Sequence, residues 1–147
     1  MSVIKEIYDI TKDITKSKNA QAKIKKAILL EAKANLEFLQ DISNPKTEIK
    51  EERLIQIINN IEIDELKALI KNNIPYRSIT NKKVTKKIVG GLAARRAIGY
   101  DLETLLERIY LMVTYIKKEY KREKLRLGVR VKNIYYYFTL LKRLLES

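Results

Sequence analysis

Residues 101–126, DLETLLERIYLMVTYIKKEYKREKLR, carry the clearest structural pattern in the chain. Apolar side chains recur there every three or four residues, which is the spacing of one face of an α-helix. These side chains are Leu102, Leu105, Leu106, Ile109, Met112, Val113, Ile116 and Tyr120. Asp101 is predicted to cap the start of this helix, and Gly128 is predicted to close it.

Helical spacing also covers the chain before this stretch. Residues 2 to about 41 are predicted to be helical, and a break or kink at the polar residues 16–19 is favoured over an uninterrupted helix. Two shorter helices follow, with Thr47 and Asp64 as their predicted N-caps. Residues 79–98 are predicted to form the next helix, with an inward stripe of Val84, Ile88 and Leu92.

The last predicted helix, residues 129–146, has two apolar faces. A helix with two such faces is expected at the centre of a bundle or at an oligomer interface. Unless the N-terminal helices cover it, the second face is predicted to be a protein interface that supports a homo-oligomer. Its members are Tyr137, Leu140 and Leu144.

The fold class follows from these stripes. No segment alternates apolar and polar residues with the period of a strand. The chain has 147 residues, of which 46% are hydrophobic, enough for one core. The sequence therefore predicts an all-α protein in which residues 1–147 form a single domain, a bundle of four to six helices.

The composition argues against most catalytic chemistry. The chain has no His and no Cys, so it has no imidazole base, thiolate nucleophile or His- or Cys-ligated metal. It lacks phosphate-binding glycine motifs and clusters of acids at metal spacing. We expect a protein that is not an enzyme and has no cofactor. It has no long apolar run either, so a cytoplasmic protein without a membrane segment is expected.

Positive charge is concentrated in one half of the chain. The formal net charge is +13. Residues 1–75 are acidic to neutral in balance, whereas residues 76–147 have eighteen basic and six acidic side chains. Such asymmetry is typical of a protein with a polyanionic partner, so nucleic acid is the predicted partner class.

The first basic cluster follows Asn81 and contains no acid. On the predicted helix its cations share a face with small residues such as Gly90 and Ala93, where a phosphate backbone could approach closely. The alternative is that these small residues pack against another helix of the bundle, and Arg95 falls on the inward stripe. The predicted phosphate-binding residues are Lys82, Lys83, Lys86, Lys87 and Arg96.

The second basic cluster lies around the end of the helix in residues 101–126. It combines cations with an aromatic ring, the combination that binds single-stranded nucleic acid by stacking and charge. A solvated helix end whose cations offset the helix dipole is the alternative. The predicted binding residues are Tyr115, Lys118, Lys121, Arg122, Lys124, Arg126, Arg130 and Lys132.

Three functions are consistent with these patterns. The first is non-enzymatic binding of nucleic acid through phosphates. The second is a small basic regulator or inhibitor that binds an acidic or nucleic-acid-binding surface of a larger machine, such as a polymerase or ribonucleoprotein. The third is a structural, coat-like assembly protein.

In size, charge and helix content alone, the chain is similar to DNA-wrapping coat proteins of filamentous archaeal viruses and to small helical subunits of RNA-guided complexes. Abundant Lys and Ile without Cys are compatible with a thermophilic or viral source.

Overall fold

Seven α-helices form most of the part of the chain that the computed structural model describes, residues 2–11, 18–43, 48–122 and 126–147. Short 3-10 helices lie at Gln40–Ser43, Tyr76–Ser78 and Arg95–Ala97. The described ranges contain no strand, so the predicted all-α fold is confirmed. The α-helices are α1 (Val3–Thr11), α2 (Lys18–Phe38), α3 (Glu51–Asn60), α4 (Asp64–Lys71), α5 (Lys86–Val89), α6 (Leu102–Glu119) and α7 (Leu127–Glu146).

The central element is α7, which packs against α2, α3, α5 and α6. Both of its apolar faces are covered within the chain. Tyr137, Leu140 and Leu144 are only 8%, 0% and 1% exposed, so the prediction that they form a protein interface is wrong for this structure. This face is not available to a partner because other elements of the same chain cover it, which is the exception that the sequence left open. Burial raises the pKa of Tyr137, and the nearby Tyr100 acts in the same direction.

The predicted break at residues 16–19 lies partly outside the described residues, and its last two residues, Lys18 and Asn19, belong to α2. The short helix α1 packs against both α2 and α4, and Ile4 is fully buried there. The strongest contacts of α2 are with α7. The predicted cap Thr47 lies outside the described residues, and Lys50 precedes α3 without a side-chain cap.

Helix α4 begins in a way that the sequence did not indicate. Asp64 is its first helical residue, and the preceding Ile63 gives no side-chain cap, so the prediction of Asp64 as N-cap is wrong. The cap comes instead from α2. The Glu31 carboxylate accepts hydrogen bonds from the backbone N–H groups of Glu65 and Leu66, at 2.7 and 3.1 Å. These are two of the N–H groups that a helix start leaves unpaired.

Two more polar side chains repeat this arrangement, and we call Glu31, Asn35 and Glu65 the polar clamp. Asn35 is buried and holds the backbone of Glu62 with two hydrogen bonds, of 2.7 Å from its Nδ2 and 3.0 Å to its Oδ1. The Glu65 carboxylate in turn accepts from the N–H groups of Val3 and Ile4, at 2.7 and 3.0 Å. The clamp therefore ties α2 to α4 and α4 to α1.

The predicted helix over residues 79–98 is wrong. Only α5, a single turn, is α-helical within it, and the remainder is a folded loop. Gly90 has φ +54° and ψ −127°, a conformation that stops a helix and that glycine alone adopts readily. The loop is closed by backbone hydrogen bonds from Val84 N–H to Tyr100 at 2.9 Å and from Gly99 N–H to Val84 at 2.8 Å.

The start of α6 agrees with the boundary predicted from the sequence, whereas its end does not. The Asp101 side chain caps α6 by accepting from the Thr104 N–H at 2.9 Å, as predicted. Helix α6 ends at Glu119, earlier than the predicted 126. Gly128 lies inside the first turn of α7 and does not close α6.

Candidate nucleic-acid interface

The first basic cluster lies on the loop between Ile79 and Asp101. We call Lys82, Lys83, Lys86, Lys87, Arg95 and Arg96 the loop cluster, and all six residues are exposed. Arg95 was expected on an inward stripe, and that expectation fails because the segment is not a continuous helix. The apolar residues that turn inward instead are Val84, Val89, Ala94 and Ala97.

The loop that carries these cations is fixed at several points. The Thr85 hydroxyl caps α5 by accepting from the Ile88 N–H at 3.2 Å. At the other end of α5, the Arg143 guanidinium of α7 donates to the carbonyls of Ile88 and Val89, at 2.9 and 3.2 Å. At the end of the loop, the half-buried Tyr100 packs against the hydrophobic core and lies near Tyr137 of α7. The exposed lysines therefore project from a well-held backbone.

A concave surface of about 550 Å³ lies between α5 and the end of α7, and we call it the basic groove. No Asp or Glu side chain and no aromatic ring lines it. The Lys82 ammonium group donates to the main-chain oxygen of Ser147 at its edge. A groove with four cationic side chains and no acidic side chain suits phosphate oxygens. Its lining residues are Lys82, Lys83, Thr85, Lys87, Ile88, Arg143 and Ser147.

The other cations of the loop cluster lie around the basic groove and not in it. Lys86 and Arg95 line a smaller hollow of about 180 Å³ beside Gly90. Asp101 is an acid close to the cluster, and the Thr104 N–H and the nearby Lys83 lower its pKa. Asp101 thus stays ionised as the cap of α6 and partly offsets the charge of Lys83.

The second basic cluster lies where α6 ends and α7 begins. We call Lys118, Lys121, Arg122, Arg126 and Arg130 the helix-end cluster, and all five residues are exposed. The predicted binding residue Lys124 lies outside the described residues. Lys132 is half-buried and lines a different hollow beside Ile49 and Val129, so it does not join this cluster.

The two tyrosines near this cluster already have cationic partners. The Arg130 guanidinium lies 4.6 Å from the centroid of the Tyr115 ring, and the Lys121 ammonium lies 5.8 Å from that of Tyr120. Tyr115 is 37% exposed. Because a cation covers one face of the Tyr115 ring, a base has only the opposite face on which to stack.

The two clusters are separate surfaces. Arg130 and Arg143 lie at opposite ends of α7, about 20 Å apart along its axis at the helical rise per residue. The helical turn between them also places them on different sides of α7. One straight segment of nucleic acid would thus contact one cluster, unless it curved around the protein.

The ion pairs between side chains of the described residues lie outside both clusters. Within the described ranges, ion pairs join Arg53 to Asp41 and Lys142 to Glu146, and neither pair includes a residue of the two clusters. The described residues contain no group of three or more acids that could hold a metal ion. None of the described helices is long and apolar enough to cross a membrane.

Comparison with known proteins adds no functional information. No family model, curated protein or solved structure matches the chain. The site must therefore be judged from its geometry. Sequence reasoning identified most of its cations but missed Arg143 and Thr85, whose proximity to Lys82 and Lys87 depends on the loop fold. The Thr85-Lys86 pair before an apolar residue was the one local signal of a helix start.

Proposed function

We propose that the protein binds nucleic acid, without catalysing a reaction, through phosphate contacts made by its loop cluster. The observation that supports this most directly is the basic groove. Lys82, Lys83, Lys87 and Arg143 line one concave surface that has no acidic side chain in its lining. The bundle does not need the exposed lysines of this groove for its own stability, because surface charges contribute little to folding.

The groove favours contact with the sugar-phosphate backbone over reading of bases. Its lining has ammonium, guanidinium and hydroxyl donors but no aromatic ring on which a base could stack. Cations that neutralise phosphates release condensed counterions, and this gives affinity that depends on salt and not on sequence. We therefore expect binding with little sequence preference.

The helix-end cluster is a second contact surface in this proposal. It differs from the loop cluster because Tyr115 lies beside its cations. Stacking on an aromatic ring contributes about 1–3 kcal/mol per base on single strands. We expect Tyr115→Ala to weaken binding to a single strand by an amount in that range and to change duplex binding much less.

The test is a fluorescence anisotropy titration of labelled duplex and single-stranded DNA and RNA at several salt concentrations. The variant Lys82→Gln/Lys83→Gln/Lys87→Gln removes three cations of the basic groove. We expect the slope of log affinity against log salt to decrease by roughly two to three units, since each phosphate contact contributes about 0.7–0.9. The variant Lys118→Gln/Lys121→Gln/Arg122→Gln tests in the same way how much the helix-end cluster contributes to the salt slope.

The matched control removes the same charge from another surface. Lys18, Lys23 and Lys26 are exposed on the first half of α2, far along the chain from both clusters. Lys18→Gln/Lys23→Gln/Lys26→Gln should leave the salt slope nearly unchanged. If all three triple variants bind like the wild type, neither basic cluster contacts nucleic acid. The basic groove would then favour the regulator hypothesis, in which an acidic surface of a protein supplies the carboxylates.

A further inference from the structure

The two basic clusters lie at opposite ends of the same pair of helices. Arg143 in the last turn of α7 donates to the carbonyl of Val89, which places the loop cluster beside that end of the helix. The Arg130 guanidinium in the first turn of α7 lies 4.6 Å from the ring centroid of Tyr115, in the second half of α6. Helices α6 and α7 therefore run antiparallel, and each extends from one cluster to the other.

The length of α6 gives the distance between the clusters. Asp101, which caps α6, lies near Lys83 of the loop cluster. Lys118 of the helix-end cluster lies in the last turn of α6. The 18 residues of this helix span roughly 27 Å at about 1.5 Å per residue. A straight duplex covers that distance with about eight base pairs.

The exposed side of α6 between the clusters is not basic. Glu103, Glu107 and Leu111 are exposed, and their spacing of four residues places them in one row along the helix. Arg108 is the one cation of residues 102–116. Because carboxylates repel phosphates, a duplex bound in the basic groove has no favourable path along α6 to the helix-end cluster.

Bending one duplex around the protein is an expensive way to reach both clusters, which lie on different sides of α7. A smooth bend of roughly 40–90° over 20–30 base pairs already costs on the order of 1–6 kcal/mol. The same angle costs more over about eight base pairs, because fewer base-pair steps share it. Contact with two separate duplexes avoids this cost.

We propose that one copy of the protein bridges two nucleic-acid duplexes, with one duplex on the loop cluster and the other on the helix-end cluster. Bridging rests on the proposed function and adds that the two surfaces act at the same time on separate duplexes. Each surface has several exposed cations, six in the loop cluster and five in the helix-end cluster. Each phosphate that such a cation neutralises adds to the affinity of its own surface.

A protein that bridges with two surfaces has a characteristic dependence on concentration. When protein is limiting, one copy joins two duplexes, and binding of the second duplex profits from the first. When protein is in excess, separate copies occupy both duplexes and leave no free site to be joined. Bridging should therefore pass through a maximum as protein is added.

Capture of a second duplex tests the proposal. A biotinylated duplex is held on beads, protein is added, and retention of a free fluorescent duplex of unrelated sequence is measured. Binding of one duplex is measured by anisotropy on the same protein samples. We expect the wild type to retain the fluorescent duplex, with a maximum at intermediate protein concentration. The control Lys18→Gln/Lys23→Gln/Lys26→Gln should retain as much as the wild type.

Two variants each remove one surface. The groove variant is Lys82→Gln/Lys83→Gln/Lys87→Gln, and the helix-end variant is Lys118→Gln/Lys121→Gln/Arg122→Gln. Each should still bind one duplex, more weakly than the wild type, through its remaining cluster. Retention of the second duplex should fall roughly tenfold or more in each, because three phosphate contacts of one surface are lost. A variant that is helical by circular dichroism but binds no duplex would overturn the proposal, since its remaining cluster would not hold a duplex alone.

A mixture of the two variants separates bridging by one copy from bridging by associated copies. The mixture contains both intact surfaces but never on the same copy. It should therefore retain no more of the second duplex than either variant alone. Retention at the wild-type level, in the mixture or in either variant, would overturn the proposal, because copies bound to different duplexes would then have to associate.

The same measurements separate failure of bridging from failure of the proposed function. A wild type that binds one duplex with salt-dependent affinity but retains no second duplex overturns bridging and leaves the proposed function intact. A wild type that binds no duplex and no single strand overturns both.

Discussion

The polar clamp and the loop cluster use charged and polar side chains in opposite ways. Glu31 and Glu65 bind backbone N–H groups at helix starts, and Asn35 is buried against the Glu62 backbone. The six cations of the loop cluster are exposed on a backbone that other residues hold. The polar atoms of the first region are bound to backbone groups of the fold, whereas the cations of the second region are exposed.

This difference gives a criterion for finding candidate sites from the structure alone. Removal of a clamp residue would leave buried N–H groups unpaired, at a cost of about 1–3 kcal/mol for each. Removal of an exposed lysine leaves nothing unpaired. Charged residues that bind no backbone group and form no ion pair are therefore the first candidates for function. The two regions should respond differently to substitution, and the following predictions test that expectation from the largest effect to the smallest.

The largest expected effect is the pH dependence of stability that Glu31 confers. Burial raises the pKa of Glu31 to about 7 from 4.5, although the N–H groups of Glu65 and Leu66 favour its ionised form. The folded protein therefore binds this proton more tightly than the unfolded chain does. The free energy of unfolding should decrease as pH rises from about 4.5 to about 7, by on the order of 3 kcal/mol.

Urea unfolding at a series of pH values measures this effect. The chain has no His, so few other groups titrate between pH 5 and 7. Glu31→Gln should flatten the profile in this window, because the side chain no longer ionises. Glu37 is exposed on the same helix, and Glu37→Gln should keep the wild-type profile. A profile that Glu31→Gln leaves unchanged would show that the clamp does not couple folding to this proton.

The sequence predicted the long helices because their apolar stripes are regular and their boundaries are local. The stripe of α6 contains Leu105, Ile109 and Val113, all fully buried, and Asp101 caps it as expected. The position of α7 at the centre of the bundle was one of two alternatives that its pair of apolar faces allowed. Only the tertiary structure could choose between them, because covering elements come from distant parts of the chain.

Residues 79–98 show why local spacing can mislead. Val84, Ile88 and Leu92 have the spacing of a helix face. Gly90 and Gly91 lie between Ile88 and Leu92, however, and the helix ends at Gly90. A Gly-Gly pair is a turn signal, and here it allows the positive φ of Gly90.

The polar clamp was missed for another reason. Glu31 and Asn35 look like surface residues of α2 until α4 and residue 62 are brought beside them, since their partners lie 27 to 35 residues away.

The second prediction compares the adjacent glycines of the loop. Gly90→Ala should destabilise the loop by about 1–3 kcal/mol, because φ +54° with ψ −127° is strained for any residue with a Cβ. The added Cβ would meet the Arg143 Nη1 only at 3.5 Å, an ordinary contact, so backbone strain is the cause. Hydrogen exchange should show faster opening of residues 80–101, with α6 unaffected.

Gly91→Ala is the matched control. Gly91 has no positive φ and no atom within 4 Å of its added Cβ. The change should be neutral or stabilising by up to about 1 kcal/mol, because alanine restricts the unfolded chain. Equal effects at the two positions would argue against the loop geometry and would restore the continuous helix as the better description. Weaker nucleic-acid binding in Gly90→Ala alone would connect the held backbone to function.

The smallest expected effect concerns the lysines of the basic groove. Lys82→Gln/Lys83→Gln/Lys87→Gln should change the free energy of unfolding by less than about 1 kcal/mol, the limit for exposed charges. Loss of the Lys82 contact with Ser147 destabilises slightly, whereas lower repulsion in a protein of net charge +13 acts in the opposite direction. Urea unfolding at low and high salt separates the lost contact from the lower repulsion, because salt screens the repulsion between charges.

A decrease in the free energy of unfolding above about 2 kcal/mol would mean that these cations hold the loop together. The contrast with the polar clamp would then fail. A near-zero change, beside a salt slope of nucleic-acid binding flattened by two to three units, is the result that assigns these charges to a partner.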